Sequence, residues 1–496
     1  MRLSISKKEF IATCKKGNIP VIALEISYAR PSAIYERLIQ KNSILLESAK
    51  GPMGIAGYSF IAIEPYLEYR VKNGRIEVMA DGNRGISYKK PLVKLKEILA
   101  SYPHKPDFRF PPFQGGAIGL ISYDFVHYFE KLPVTVDDDL KIPDAHFLIV
   151  DRVIAFDHMQ GKSWIIICPG ARETRLGYNE PDVDFSACYE RAGSDASRIK
   201  NIIENGIGDL HFKNNQVSSG KAKIRYEMNK PYYLEMVKMA KDYIKKGDIF
   251  QANLSQRISA DISSISQWDM YLKLSDINPS PFAAFVNFGD YSIIGSSPER
   301  LVKLTGGVAQ TRPIAGTRPR GKDVEEDEYM RKELIFNEKE RAEHIMLIDL
   351  ERNDLGKVCN YGSVEVDELM ITEDYSHVIH IASNVRGLIA SHKDCFDLIK
   401  AVFPGGTITG VPKVRCMEII DELEPVARGP YTGSIGYIGF SGDMDLNIII
   451  RTFVCKNDRS YIHIGAGIVA DSEPEREYHE TLKKAEALIK TLSELA

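Results

Sequence analysis

The chain carries little that would tie it to a membrane, an oxidising compartment or a polyanion. Its 496 residues hold no apolar run near the roughly 20 residues needed to span a bilayer. The N-terminal stretch MRLSISKKEFIATCKKGNIP lacks the uninterrupted apolar segment of a secretory signal. Cysteine is sparse and odd in number, with seven residues at 14, 168, 188, 359, 395, 416 and 455 and no CxxC pair. That argues against a disulfide frame or a cysteine zinc site; reduced structural thiols in a cytoplasmic protein are the expectation. Charge is nearly balanced, at a formal −4. Neither nucleic acid nor an anionic membrane is therefore an expected partner. No internal repeat or long low-complexity tract is present.

What is there reads as a layered α+β protein. With 44% hydrophobic and 27% charged residues, the composition is that of a globular chain. The length suits two to four domains, or fewer large ones. To about residue 200, short apolar runs alternate, among them Val21-Ile22-Ala23-Leu24, Leu67-Glu68-Tyr69-Arg70-Val71 and His146-Phe147-Leu148-Ile149-Val150. These predict strands, some in antiparallel sheets. Ile34 to Ile39 and Leu92 to Leu99 carry helical spacing. Asn205 to Ile224 is polar and weakly periodic, which predicts a linker. Helical spacing over Lys230 to Lys246, followed by Gly247, predicts a helix with a glycine cap. The expected architecture is face-to-face β-sheets with outer helices. A boundary near residue 225 divides 1–225 from 226–496.

Several segments carry candidate chemistry. Two ExxE pairs lie in stretches of helical spacing: Glu340 and Glu343 within Glu333 to Leu350, Glu477 and Glu480 within Glu475 to Leu492. A spacing of three puts each pair on one helix face. Either pair alone also reads as a solvated surface. Brought together from two helices, four carboxylates need a cation, and oxygen ligands without Cys or His suit Mg²⁺. The run Gly405-Gly406-Thr407-Ile408-Thr409-Gly410-Val411-Pro412-Lys413 is a turn leading into a helix to about Leu423. Proline fits a first helical turn, and free amides there favour an anion. Gly465-Ala466-Gly467 either lets backbone approach a ligand or merely turns the chain. Arg451, after the apolar run Ile448-Ile449-Ile450 read as a buried strand, either grips a carboxylate or caps a strand edge. Tyr431 and Lys413 add donors. His380, in Val378-Ile379-His380-Ile381-Ala382-Ser383, reads by itself as a core histidine. Glu299, in Gly295-Ser296-Ser297-Pro298-Glu299, acts as an acid at neutral pH only where burial raises its pKa.

These segments stand in order with Pro313-Ile314-Ala315-Gly316-Thr317-Arg318-Pro319, Glu340-Arg341-Ala342-Glu343-His344, Asp349-Leu350-Glu351-Arg352-Asn353-Asp354 and Gly465-Ala466-Gly467-Ile468-Val469-Ala470-Asp471-Ser472. In this the chain resembles the chorismate-utilising enzymes, most closely their anthranilate synthase branch. The likeness runs from about Gly247 to the C-terminus, with weaker matches back to Leu45. It implies Glu343 and Glu480 as direct Mg²⁺ ligands and Glu340 and Glu477 as water-bridged ones. It implies Glu299 as the acid for the departing C4 hydroxyl, with His380 positioning or deprotonating the ring and Thr317 in the same catalytic group. Gly316, Tyr431, Arg451, Gly465, Ala466, Gly467 and Lys413 fall where the family holds substrate. His344 and His377 receive no role.

Relatives making aminodeoxychorismate resemble PIKGT, whose lysine amine can attack the ring; this chain has Ala315. Relatives making isochorismate or salicylate carry a lysine base where this chain has Gln251, which cannot be a base. Ammonia is left as the nucleophile, which implies anthranilate synthesis. Leu45-Leu46-Glu47-Ser48 and Asn278-Pro279-Ser280-Pro281-Phe282 resemble two walls of a feedback tryptophan pocket, implying Glu47, Ser48, Pro281, Phe282 and Ala283 as effector residues. Glu47 and Ser48 also read as a plain strand end. Ala283, Ala284 and Asn447 depart from that pattern. Asn253 and Gly405 to Thr409 lean toward the aminodeoxychorismate branch, the alternative activity. A non-catalytic tryptophan-sensing protein is the alternative of another class. No cysteine sits on a Gly-x-Cys-x-Gly turn, so ammonia is expected from a separate glutaminase subunit, in a heterotetramer.

Overall fold

The structure, a computed structural model, describes residues 2–48, 51, 55–174, 183–206, 223–375 and 378–495. Most of the expected linker between 205 and 224, and His377, lie outside the described residues.

Two twelve-stranded sheets carry the fold, and the strand pairings within both are antiparallel. The first starts at Ile314–Pro319 and Val378–Leu388, passes through Arg300–Thr305, Ser434–Gly439 and Gly116–Ile121, and ends at Asn83–Ser87. The second starts at Ile224–Tyr226 and Gln251–Asp261, passes through Arg459–Ile468 and Phe282–Asn287 into Ser43–Glu47, and ends at Ile22–Ile26. Their facing sides are apolar: every residue of Ser434–Gly439 and Ala145–Val150 is buried, as strands covered on both faces must be. The layers meet through aromatic rings. Phe60 of the second sheet lies 5.3 Å from Tyr437 of the first, between ring centroids. His146 of the first stacks at 3.6 Å on Phe288, just past Phe282–Asn287.

Helices cover the outside. Lys230–Lys246 shows how sequence sets such an element. The Asn229 side chain accepts from the Tyr232 amide at its start, and Gly247 closes it in the left-handed region, φ 82°. Tyr233, Met236, Val237 and Ala240 form its buried stripe. The Pro474–Leu495 helix packs beside it against Arg459–Ile468. The 1–225 and 226–496 regions share both sheets and one hydrophobic core.

Three local expectations need correction. The stretch from Glu333 to Leu350 is two helices, Val324–Phe336 and Glu338–Gly356. Asn337 ends the first and caps the second by accepting from the Glu340 amide, because its side chain competes for the backbone there. Ile448 and Ile449 are buried and Ile450 is half-buried, but the run is no strand; the ladder stops at Asn447 and resumes at Thr452. Pro412 precedes the Lys413–Leu423 helix as its N-cap residue in extended backbone, outside the first turn.

Candidate active site

The acid lies at the seam between the sheets. Glu299 follows Ser292–Ser297 of the second sheet and is 6% exposed. Burial pushes its carboxyl up to about 7, against the Thr407 hydroxyl, the Arg451 charge, the Ile314 amide and Lys484. The Thr407 hydroxyl lies beside the carboxyl without forming a hydrogen bond of good geometry.

Thr317 and His380 face each other across the first two strands of the first sheet. His380 Nδ1 lies 2.9 Å from Thr317 Oγ1 and 3.2 Å from the Gly316 carbonyl. A carbonyl only accepts, so Nδ1 carries the proton and Nε2 keeps a lone pair. Nε2 is buried without a partner among the described residues. Burial, with Arg451 adding to it, pushes the ring down to about 4, so it is neutral. Gly316 bulges out of the ladder at φ 60°, and a Cβ there would stand 2.8 Å from Leu334 Cδ1 and 2.9 Å from Glu340 Oε2. Only glycine fits.

Arg451 also has positive φ, 51°. Its backbone carbonyl accepts from Ser296, and no hydrogen bond or ion pair engages its guanidinium among the described residues. Its charge reaches Glu299 and His380. A half-buried guanidinium with no side-chain partner among the described residues, beside Glu299 and a neutral imidazole, has the chemistry to receive an anion.

Gly465, Ala466 and Gly467 lie on Arg459–Ile468 opposite Ser255, Leu254 and Asn253. A Cβ at Gly465 would stand 2.5 Å from Asn253 Oδ1 and 2.6 Å from the Tyr431 hydroxyl; one at Gly467 would stand 2.4 Å from Gln251 Nε2. Tyr431 is buried and stacks on His463 at 5.3 Å. Lys413 is held differently: its amine donates to Asp354 at 2.5 Å and to the Val402 carbonyl at 3.0 Å. It is a paired cation. Lys484 is the cation that the sequence reading missed. Its amine bridges Glu480 at 2.8 Å and the Gly465 carbonyl at 3.1 Å, and its charge lowers Glu299 and Glu477. Four residues after Glu480 on one helix, it shares that face, and the spacing alone could have found it.

Glu340 and Glu343 open the Glu338–Gly356 helix, and Glu477 and Glu480 open Pro474–Leu495. Burial, then the Glu340 charge, raises Glu343, with Glu480 adding to it; burial and Glu480 likewise raise Glu477. Like charges from two helices thus converge. Glu340 meets Arg318 at 3.1 Å, Glu343 accepts from Gln251 at 3.0 Å and Glu480 meets Lys484. Among the described residues no three such groups stand close enough as placed to hold a metal ion. Carboxylate oxygens are the donor chemistry that suits a hard divalent cation.

The remaining group lies on neighbouring strands of the second sheet, where Phe282 pairs with Ser297 two residues before Glu299. Glu47 pairs with Ala283 across the ladder. Its carboxylate accepts from the Tyr271 hydroxyl at 2.5 Å and the Ser32 amide at 3.3 Å. The Ser48 hydroxyl donates to the Pro281 carbonyl at 3.0 Å. Arg300 lies over the Phe282 ring at 5.2 Å. All five expected effector residues are therefore neighbours. His344 is a core residue bonded to Ser383 at 2.7 Å.

The chorismate binding enzyme profile matches residues 41–490. The chain belongs to this family. Anthranilate synthase component 1 of Acetivibrio thermocellus is 41% identical over 493 residues, 97% of this chain and 96% of that protein. Aminodeoxychorismate synthase component 1 of Bacillus subtilis is also 41% identical, over 460 residues, 92% of this chain and 93% of that protein. Among solved structures, anthranilate synthase component I of Streptococcus pneumoniae superposes with a TM-score of 0.75 at 35% identity, covering 88% of this chain and 92% of that one. The layered α+β fold is thus the family's, and the residues assembled above belong to a chorismate-binding enzyme.

Proposed function

We propose that this enzyme converts chorismate and ammonia to anthranilate and pyruvate, as the synthase component that works with a separate glutaminase. The observation that carries the reading is the pair of side chains at the two branch positions. Ala315, in Ile314–Pro319, has no amine to attack the ring. Gln251, held by Glu343 at 3.0 Å, has no basicity to activate water. External ammonia needs neither.

The chemistry follows from the site. Arg451 and the Gly465–Gly467 backbone hold the carboxylates, with the Tyr431 hydroxyl beside them. Ammonia forms a bond to ring C2 as the C4–O bond breaks, and the Glu299 proton leaves with the hydroxyl as water. The new C2 ammonium sheds a proton; removal of the C2 proton, for which His380 Nε2 offers a lone pair, then breaks the C3–O bond, and the released enolpyruvate takes up a proton to become pyruvate as the ring turns aromatic. Mg²⁺ held by Glu343 and Glu480, with Glu340 and Glu477 through water, would neutralise substrate carboxylate charge. Glu47, Ser48 and Pro281 to Ala283 would form a tryptophan pocket, so that 1–225 acts as the regulatory part and 226–496 as the catalytic part. A cytoplasmic heterotetramer is the expected assembly.

Aminodeoxychorismate synthesis is the second reading, favoured by Asn253 and by the Bacillus subtilis relative. Incubating pure protein with chorismate, Mg²⁺ and ammonium separates the two. Anthranilate fluorescence with equimolar pyruvate supports the first; an amino product that retains the enolpyruvyl ether overturns it.

A further inference from the structure

Arg428 is 2% exposed and sits behind the walls of the site. A guanidinium has five N–H donors, and here each has an acceptor. Nε donates to Glu424 at 2.9 Å. Nη1 donates to the Ile408 carbonyl at 2.9 Å and the Thr432 hydroxyl at 3.3 Å, and Nη2 to the Asn253 carbonyl at 2.6 Å and Glu424 at 2.7 Å. Glu424, itself buried, also accepts from the Ser255 amide at 2.7 Å. One ion pair therefore joins the Gln251–Asp261 strand, the glycine-rich turn and the loop that carries Tyr431. That loop is strained, since Thr432, a β-branched residue, has φ 60°. The Thr432 hydroxyl donates to the Tyr431 carbonyl at 2.6 Å and accepts from Arg428. The Arg428 guanidinium also lies 5.6 Å from the Tyr431 ring centroid. The Tyr431 ring stacks on His463, and its hydroxyl stands over Gly465.

We propose that Arg428, oriented by Glu424, is a positioning residue for chorismate binding that holds the Tyr431 hydroxyl in place over Gly465. This rests on the proposed seat of a chorismate carboxylate at Gly465 and Tyr431. Arg428 has no donor to spare for the substrate, so its effect passes through Tyr431. A buried guanidinium kept only for its charge needs no more than its counter-charge. The further bonds to Ile408, Thr432 and Asn253 are what fix the geometry of the loop. Lysine brings the same charge but lacks the planar fork that makes them. A hydroxyl fixed in advance receives a carboxylate without the cost of ordering it on binding.

The test is a double-mutant cycle of Arg428→Lys and Tyr431→Phe, read as the Kd for chorismate by titration calorimetry with Mg²⁺ present and ammonium left out. Each single change should raise Kd about tenfold, as loss of one hydrogen bond to a charged group does. In the Tyr431→Phe background, Arg428→Lys should add less than about twofold, because the hydroxyl that it positions is gone. A purely stabilising Arg428 would lower Tm and act additively. An unchanged Kd in Arg428→Lys, or full additivity of the two changes, overturns the proposal. Thermal melting checks folding. Where Arg428→Lys melts below the assay temperature, Glu424→Gln, which keeps one acceptor oxygen for the fork, takes its place with the same expectation and the same refutation. Binding is read here without turnover, so wild type that binds chorismate but yields no anthranilate counts against the proposed function alone.

Discussion

The raised pKa of Glu299 has a consequence that can be read in a rate. The group must be protonated to lose its proton to the C4 hydroxyl. Burial sets its pKa at about 7 in the free enzyme, and kcat/KM reports the free enzyme. At constant free-base ammonia, kcat/KM for chorismate should be flat on the acid side and fall about tenfold per pH unit above pH about 7. Holding free ammonia constant matters, because its neutral fraction grows with pH and would mask the fall. The break in kcat should lie higher. A bound carboxylate on Arg451 cancels the charge that pulls Glu299 down, so the acid holds its proton longer in the complex. Glu299→Gln cannot donate, and should lose about 10²- to 10⁴-fold in kcat together with the alkaline limb. The assay is initial-rate anthranilate fluorescence across pH 6 to 9 at fixed free ammonia. A profile that stays level to pH 9, or a Glu299→Gln enzyme with the wild-type profile, would refute the assignment.

Other outcomes follow from the same geometry. Glu343→Gln and Glu480→Gln should abolish turnover and Mg²⁺ dependence, while Glu340→Gln and Glu477→Gln should do less; equal losses in all four, or activity in EDTA, would reject the ligand order. Ala315→Lys should divert product from anthranilate toward aminodeoxychorismate-like or covalent species, and unchanged product from folded protein would mean that position 315 does not face the ring. Ser48→Leu should raise the tryptophan needed for inhibition with uninhibited turnover near wild type, because the Ser48 hydroxyl meets the Pro281 carbonyl and not Glu299; superimposable inhibition curves would leave Glu47 and Ser48 a strand end. Glu351, raised by burial from the ordinary 4.5 to about 8 beside Asp354, holds a proton that the unfolded chain releases near the ordinary value. Its stabilisation is full below about pH 4.5 and lost as pH rises toward 8, an effect on the order of 5 kcal/mol. Glu351→Gln should therefore flatten the decline of Tm with pH by about 5 °C for a chain of this size; parallel Tm curves would contradict it.

Much of the site was legible because its chemistry is local. ExxE spacing fixes a helix face, and Gly316 and Gly465 stand where any side chain would collide. The Lys230–Lys246 helix was legible from its period and its glycine cap, though not from the Asn229 cap at its start. What escaped the sequence is set at long range. Nothing local says that Ser43–Glu47 pairs with Phe282–Asn287, more than 200 residues on, because strand register follows burial across the whole sheet. The apolar run at Ile448 to Ile450 looks like a strand, since burial without ladder bonds leaves the same pattern. Lys413 reads as a free cation until Asp354, from another helix, is seen to hold it. Asn337 broke a helix that its neighbours alone would have continued.

The central claim is that ammonia, unaided by a lysine at Ala315 or Gln251, adds to chorismate and that the product aromatises on this enzyme. Isotope-labelled ammonium, chorismate and Mg²⁺ mixed with the pure chain, followed by mass spectrometry of every product, tests it most directly. The account predicts labelled anthranilate with one pyruvate released for each. Labelled product that keeps its enolpyruvyl ether, or unlabelled isochorismate, would contradict it.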